Sequence, residues 1–371
     1  MGLLAPVPLS LYADELMSEN DALRKAYEHS PDQWPAATID EGVKVVELGL
    51  LPEVIHPEDN PDSNAKRKLG ELLFFDPRLS GSAQVACASC HDPDLGWADG
   101  RTVSFGHSRK TLKRNAPTIQ NTGHVTPLFW DGRSPTLEDQ ATQVMLNVDE
   151  FRSKPELIHE RLIAIPAYPQ KFAEVFGDDE VTIERAAQAM ACFVRSTNGG
   201  RSRFDAFLKG KHKALSDQEI RGLHLFRTKG RCLNCHNGPN FTDNKLHNTG
   251  LSLYGRRFED LGQYSVTENA ADVGKFKTPT LRDIQNTSPY MHHGLFHDLD
   301  VTIMAYNGAN PEPKQRKDQM DDPLYPTKSP LIKKLGLGKD EVADLKAFLL
   351  TLTEPHRARR APDLPEGPET E

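Results

Sequence analysis

Cysteine and histidine recur in this chain in one fixed order. Cys87-Ala88-Ser89-Cys90-His91 and Cys232-Leu233-Asn234-Cys235-His236 are two copies of Cys-x-x-Cys-His, and they take up four of its five cysteines. At this chain's cysteine and histidine content, a chance copy is expected in only ~0.3% of sequences of its length. Two thiols three positions apart can reach the two vinyl groups of one haem and form thioethers, and the next residue's imidazole can ligate the iron from the proximal side. A zinc site would gather both pairs as four thiolates, but zinc-ribbon pairs lie close in sequence, whereas these are 142 residues apart (232 minus 90). A thioredoxin-like redox pair normally occurs once, beside a βαβ pattern that this sequence lacks. The motifs therefore imply two covalently bound haem c groups, with Cys87, Cys90 and His91 holding one and Cys232, Cys235 and His236 the other. The fifth thiol, Cys192, stands in Ala191-Cys192-Phe193-Val194 and reads as a small buried hydrophobe.

Composition frames these two centres. The 371 residues are 37% apolar, enough for two or three domains with cores of their own. Lys and Arg number 45 against 53 Asp and Glu, a formal charge of -8, so there is no basic field for a phosphate backbone and nucleic acid is excluded as a partner. No run approaches the roughly 18 apolar residues of a membrane-spanning helix. Helical stripes appear at Leu69, Leu72 and Leu73, at Ile183, Ala187, Met190 and Val194, and in the windows 155–165 and 340–352. Ser216 and Glu219 form a capping box ahead of Ile220, Leu223 and Phe226. Gly70 with Phe74 and Gly222 with Phe226 share one spacing before the two motifs, a weak repeat that suggests a duplicated haem domain.

Strand alternation is nearly absent, and long Gly-, Pro-, Asn- and Thr-rich segments, 92–127, 237–280 and 307–330, need something to pack around. The expectation is a mainly α protein with two cytochrome c-like haem domains, long loops and an interdomain interface. Its parts are an N-terminal arm over 1–38, with a helix near Tyr12 to Tyr27, an N-terminal haem domain over 39–200, a C-terminal haem domain over 201–350, and a flexible tail over 351–371.

Four further motifs stand in order around the haem sites: Arg114-Asn115-Ala116-Pro117-Thr118, Phe129-Trp130-Asp131-Gly132-Arg133, Phe276-Lys277-Thr278-Pro279-Thr280-Leu281-Arg282 and Ser288-Pro289-Tyr290-Met291-His292. With them, residues 60 to 350 resemble the bacterial dihaem cytochrome c peroxidase and MauG family. The resemblance implies that hydrogen peroxide reacts at the N-terminal haem and that the C-terminal haem transfers electrons. By position it makes Trp130 the relay between the haems, and Gln140 and Glu150 the peroxide pocket, where a carboxylate can take a proton from one peroxide oxygen and return it to the other. Val144 stands where the family pocket often has proline. His107 matches a histidine that in many of these peroxidases caps the first iron until reduction releases it. Asn115, Thr287 and Pro289 match positions that hold a calcium ion, a hard cation suited to amide and carbonyl oxygens.

Tyr306 is the most informative position. Fourteen residues after His292, it stands where the peroxidases carry the methionine ligand of the second haem, and MauG is similar to this chain in that substitution. Met304, Met291, His292 and His293 are the competing ligands. A thioether favours ferrous iron, whereas a phenolate is hard and anionic and favours ferric and higher states. The implied enzyme is a MauG-like oxidoreductase that uses a high-valent two-haem state to oxidise a side chain of a partner protein. Its rival is a cytochrome c peroxidase fed by a small redox protein, and a homodimer is open to either. MauG's surface tryptophan two residues before the second haem motif is Gly230 here, so another exit, such as Tyr254 or Tyr264, is needed. Haem attachment of this kind resembles that of exported cytochromes, which places the protein in the periplasm. Met1 to Leu9 lacks the charged and apolar regions of a leader, so we expect a removed signal peptide and an added Met1.

Overall fold

The computed structural model describes residues 19–310, 314–356 and 358–367. The regular structure is helical: α1 (19–27), α2 (Asn64–Phe75), α3 (Leu137–Leu146), α4 (Pro155–Ile163), α5 (Ala167–Phe176), α6 (Ile183–Ser196), α7 (Arg203–Leu208), α8 (Asp217–Arg227), α9 (Tyr264–Thr267), α10 (Leu299–Asn307) and α11 (Lys339–Leu350). Among the described residues the only ladder is two residues long, β1 (Leu246–His247) against β2 (Phe276–Lys277), antiparallel with Leu246 opposite Lys277. No described helix is long and apolar enough to cross a membrane.

The helices begin where their caps dictate. Ser216 accepts from the Glu219 N–H and Glu219 accepts in return from the Ser216 N–H, satisfying two donors that a helix start leaves free. Ile220, Leu223 and Phe226 on α8 then turn inward and are buried. Thr182 caps α6 by accepting from the Arg185 N–H, and from Ile183 onward that helix is buried on most of its circumference.

Two groups of apolar side chains result. The first joins Leu69, Leu73 and Phe74 of α2 to α3, α4, α5 and α6. The second joins α8 and α11 through Phe226 and Phe348, with Phe204 and Phe241 beside them. The repeated glycine has the same use in both. A Cβ on Gly70 would lie 1.9 Å from the Ala189 carbonyl of α6, and one on Gly222 2.0 Å from the Asp344 carbonyl of α11. Each helix pair therefore crosses at backbone contact, and the phenylalanine one turn later meets another ring across the crossing, Phe74 with Phe193 at 5.2 Å and Phe226 with Phe348 at 5.4 Å.

The ends of the chain depart from the expected division. Tyr27, Trp34 and Leu48 are buried in the second group, not beside the first, because these large apolar side chains fill the space around Arg227, whose guanidinium faces both rings and pairs with Glu47. The tail, expected to be flexible, runs back onto the first group, where Arg359 pairs with Glu71 of α2 and the Pro365 carbonyl accepts from Arg78. Residues 1–18 of the arm, residue 357 and residues 368–371 of the tail lie outside the described residues.

A Gly222→Ala variant should force α8 and α11 apart and lower stability by about 1–3 kcal/mol. Gly49→Ala is the matched control, since its nearest neighbour would be Pro239 at an ordinary 3.8 Å. Thermal unfolding followed by haem absorbance distinguishes them.

Candidate active site

Each Cys-x-x-Cys-His motif closes one short helical turn, Cys87–Ser89 and Cys232–Asn234, that brings the histidine back over the first cysteine. The main-chain N–H of His91 donates to the Cys87 carbonyl at 3.0 Å, and that of His236 to the Cys232 carbonyl at 2.8 Å. Both imidazoles use Nδ1 to donate to a carbonyl a few residues on, His91 to Trp97 and His236 to Phe241, each at 3.1 Å. That bond fixes the tautomer and leaves Nε2 with a free lone pair for a metal. Burial lowers the pKa of both histidines, so both are neutral. Burial also pushes the thiols up, Cys87, Cys232 and Cys235 to about 12 and Cys90 to about 11, which opposes the thiolate that zinc or a redox pair would use. Cys192 is fully buried elsewhere and donates to Asp62 at 3.1 Å.

One continuous cavity of about 910 Å³ reaches both motifs and is lined by Cys90, His91, Cys232, Cys235 and His236. Trp130, Gln140, Val144, Glu150 and Tyr306 line it as well. Tyr306, on α10, has its phenol pKa raised by burial and, further, by the nearby Cys235 and Cys232, which sets its oxygen beside the second motif. Met304, two residues earlier, is 53% exposed and does not line the cavity. Of the other competitors, Met291 and His292 line it, but His292 is stacked flat on Phe276 at 3.5 Å and His293 is outside it, accepting from the Leu295 N–H.

Glu150 stands near the first motif, close enough to raise the Cys87 and Cys90 thiols. Its own carboxyl is pushed up to about 7, mainly by burial and further by Asp149, against the pull of Arg133. The Asn147 amide donates to it at 2.9 Å. Trp130 is buried, its indole N–H donates to the Asn115 carbonyl at 2.9 Å, and it meets His292 edge-on at 6.4 Å. Asn115, Thr287 and Pro289 share the same cavity wall. His107 does not line the cavity; its main-chain N–H donates to the Asp149 and Glu150 carbonyls and so braces the loop that carries Glu150.

Sequence reasoning quoted Lys277 and Arg114 only as parts of motifs. Lys277, on β2, is half-buried in the cavity wall with nothing of opposite charge to offset it, and its desolvation there pulls its pKa down to about 8. Its neighbour His292 has a buried Nε2 without a partner. Arg114 also reaches the wall, clasped by Asp131 at 2.5 Å and Asp260 at 2.7 Å. An unpaired cation and an unpaired imidazole in the wall of a mainly apolar cavity suit a ligand that is a large apolar plate with carboxylates. With two neutral imidazoles and four sulfurs in place, the residues fit two haems.

The comparisons with known proteins agree with that donor set. The family described as di-haem cytochrome c peroxidase matches residues 64–213. The chain is 36% identical over 308 residues to the cytochrome c551 peroxidase of Nitrosomonas europaea, covering 82% of this chain and 85% of that one. It is 35% identical over 316 residues to the methylamine utilization protein MauG of Methylorubrum extorquens, covering 84% and 85%. This chain belongs to the di-haem cytochrome c peroxidase/MauG family. A solved MauG-like protein associated with microbial copper homeostasis superposes with a TM-score of 0.73 at 32% identity, covering 82% of this chain and 95% of that one. The protein is thus a dihaem oxidoreductase that uses hydrogen peroxide.

In this dihaem enzyme Glu150 should keep its proton to near neutral pH. The protonated-carboxyl stretch in infrared difference spectra should titrate near pH 7 and vanish in Glu150→Gln. Because the folded carboxyl holds its proton where the unfolded one has lost it, wild-type stability relative to that variant falls as pH rises from about 4.5 to 7, by up to ~1.4 kcal/mol per pH unit.

Proposed function

We propose that the enzyme uses peroxide to oxidise a side chain of a partner protein in the periplasm, with two covalently attached haem c groups. The observation that carries this reading is Tyr306, the cavity-lining oxygen beside the second motif, with Met304 turned to solvent. Bound haem supplies a peroxide-reactive iron and a second redox centre. A phenolate from Tyr306 would hold that second iron in its oxidised form, a poor acceptor of electrons from a small donor but a good store of oxidising power.

Apart from the exit, the remaining roles are those the family resemblance implies, supported by the place of these side chains on the cavity wall. Glu150, half-buried and poised to titrate near neutrality, takes a proton from one peroxide oxygen and hands it to the other. Gln140 orients the peroxide from α3. Trp130 is the aromatic conduit, held rigid by its bond to Asn115. The Asn115 amide with the Thr287 and Pro289 carbonyls offers hard oxygens to a calcium ion beside it. Tyr254 suits the exit: its phenol already donates to Asp322 at 2.6 Å, so loss of an electron can be matched by loss of the proton to that carboxylate.

Peroxide added to the fully ferric protein, without any reductant, tests the reading. An immediate change in the haem spectrum supports it; no change until one haem is reduced favours the cytochrome c peroxidase reading instead and gives His107 its gating role. Tyr306→Met should raise the second haem's potential, and an unchanged potential would show that Tyr306 is not the ligand. Glu150→Gln should slow the reaction with peroxide by about 10²–10⁴. In the wild type that rate should rise with pH through about 7, as the carboxyl becomes a base, and the variant should lose this rise.

A further inference from the structure

The two proximal histidines are held by matching devices, and one part of the first is supplied from the far end of the chain. In both, the carbonyl that accepts from the imidazole belongs to an aromatic residue with left-handed backbone, Trp97 at φ 61° and Phe241 at φ 53°. A bulky side chain keeps that conformation only where its surroundings hold it. The residue before each aromatic is held identically: Thr118 donates to the Gly96 carbonyl and Thr280 to the Asn240 carbonyl, both at 2.7 Å.

Aligned on those threonines, Ala116-Pro117-Thr118-Ile119-Gln120 corresponds to Thr278-Pro279-Thr280-Leu281-Arg282. In the second site Arg282 lies over the Phe241 ring at 5.6 Å and is paired with buried Asp205 at 3.0 Å. In the first site the corresponding residue is Gln120. A cation is there all the same: Arg359, from the tail, lies 5.3 Å from the Trp97 ring and 5.0 Å from that of Phe193, and is paired with Glu71 at 2.8 Å. The tail is anchored on either side, by Glu354 to Arg201 at 2.8 Å and by Arg78 to the Pro365 carbonyl at 3.0 Å.

We infer that Arg359 is a positioning residue for the first haem site, replacing from the C-terminal tail the arginine that the first half of the chain lacks. It clamps Trp97 from outside so that the Trp97 carbonyl stays on the His91 imidazole. A firm acceptor there makes the imidazole a more basic ligand and favours the oxidised iron. Glu71 cancels most of the guanidinium's own field, so loosening of that hydrogen bond should dominate when Arg359 is removed. The inference rests on the proposed reading of His91 as the first iron's ligand.

The experiment is a redox titration of the holoprotein and of Arg359→Ala and Arg359→Lys, after haem content confirms two haems per chain. Arg359→Ala should shift the reduction equilibrium of the first haem about tenfold toward the ferrous form, which is about 59 mV for one electron, and leave the second haem unchanged. Arg359→Lys, which keeps a cation over the ring, should stay within about threefold of the wild type. The iron–imidazole stretching band of the ferrous first haem should fall in the Ala variant. An unchanged first-haem potential in Arg359→Ala, equal shifts in both haems, or a Lys variant as perturbed as the Ala variant overturns the role of Arg359. A wild-type first haem whose iron–imidazole band is missing overturns the His91 reading instead.

Discussion

The fold is arranged around one cavity of about 910 Å³ that both Cys-x-x-Cys-His motifs line. Its wall is mostly apolar, so an apolar group seated there removes that surface from water as a packed side chain would. The group that occupies it is therefore core, in the same sense as the phenylalanines of α8 and α11. That is why segments as long as 92–127 and 237–280, with almost no ladder of their own, can be ordered: their apolar side chains have a surface to close on other than each other. The same requirement explains the backbone-contact crossings at Gly70 and Gly222, which bring the helix pairs close and turn their aromatic faces to one side.

Duplication accounts for much of the rest. Each half builds a helix crossing on glycine, a short turn carrying two sulfurs and an imidazole, and an aromatic residue whose carbonyl fixes that imidazole. The halves are then tied together by the ends of the chain. Residues around Tyr27 and Trp34 complete the second apolar group, while the tail passes back to the first. Such an exchange makes each half depend on a segment remote in sequence, so the two haem sites are mechanically joined by covalent chain as well as by the cavity they share.

How far the sequence could be read follows from the range of each interaction. The haem motifs, the capping box at Ser216 and the stripes of α6 and α8 are local, fixed by spacings of three or four residues, and they were legible as such. Glu150, Gln140, Trp130 and Tyr306 were legible only through the order of family motifs, because no periodicity distinguishes a cavity carboxylate from a solvated one. The place of Lys277 in the cavity wall was not legible, since a lysine in a two-residue strand has no alternation to betray its side. Nor was the docking of the tail, whose prolines and charges read as a flexible end; three of its anchors, Glu71, Arg78 and Trp97, are more than 250 residues away in the chain. The polar look of the arm hid its packing for the opposite reason, since Tyr27 and Trp34 pack without forming a stripe, joined by Leu48 beyond the arm's end.

The proximal sides of the two sites are nearly the same object, so whatever distinguishes the two haems must come from the distal sides. There the chemistry diverges sharply. Around the first motif stands a carboxyl that burial leaves protonated to about pH 7, a group that can donate or accept a proton yet does not readily ligate iron in its neutral form. Beside the second stands a phenol whose pKa burial raises, so it gives up its proton only to something that repays the loss, as an oxidised metal does. On the proposed reading, one site is left open with a proton carrier at hand, and the other is disposed to close on an anionic ligand. On that reading a repeated scaffold acquires two different functions through a few side chains facing one shared cavity, while the two Cys-x-x-Cys-His turns stay alike.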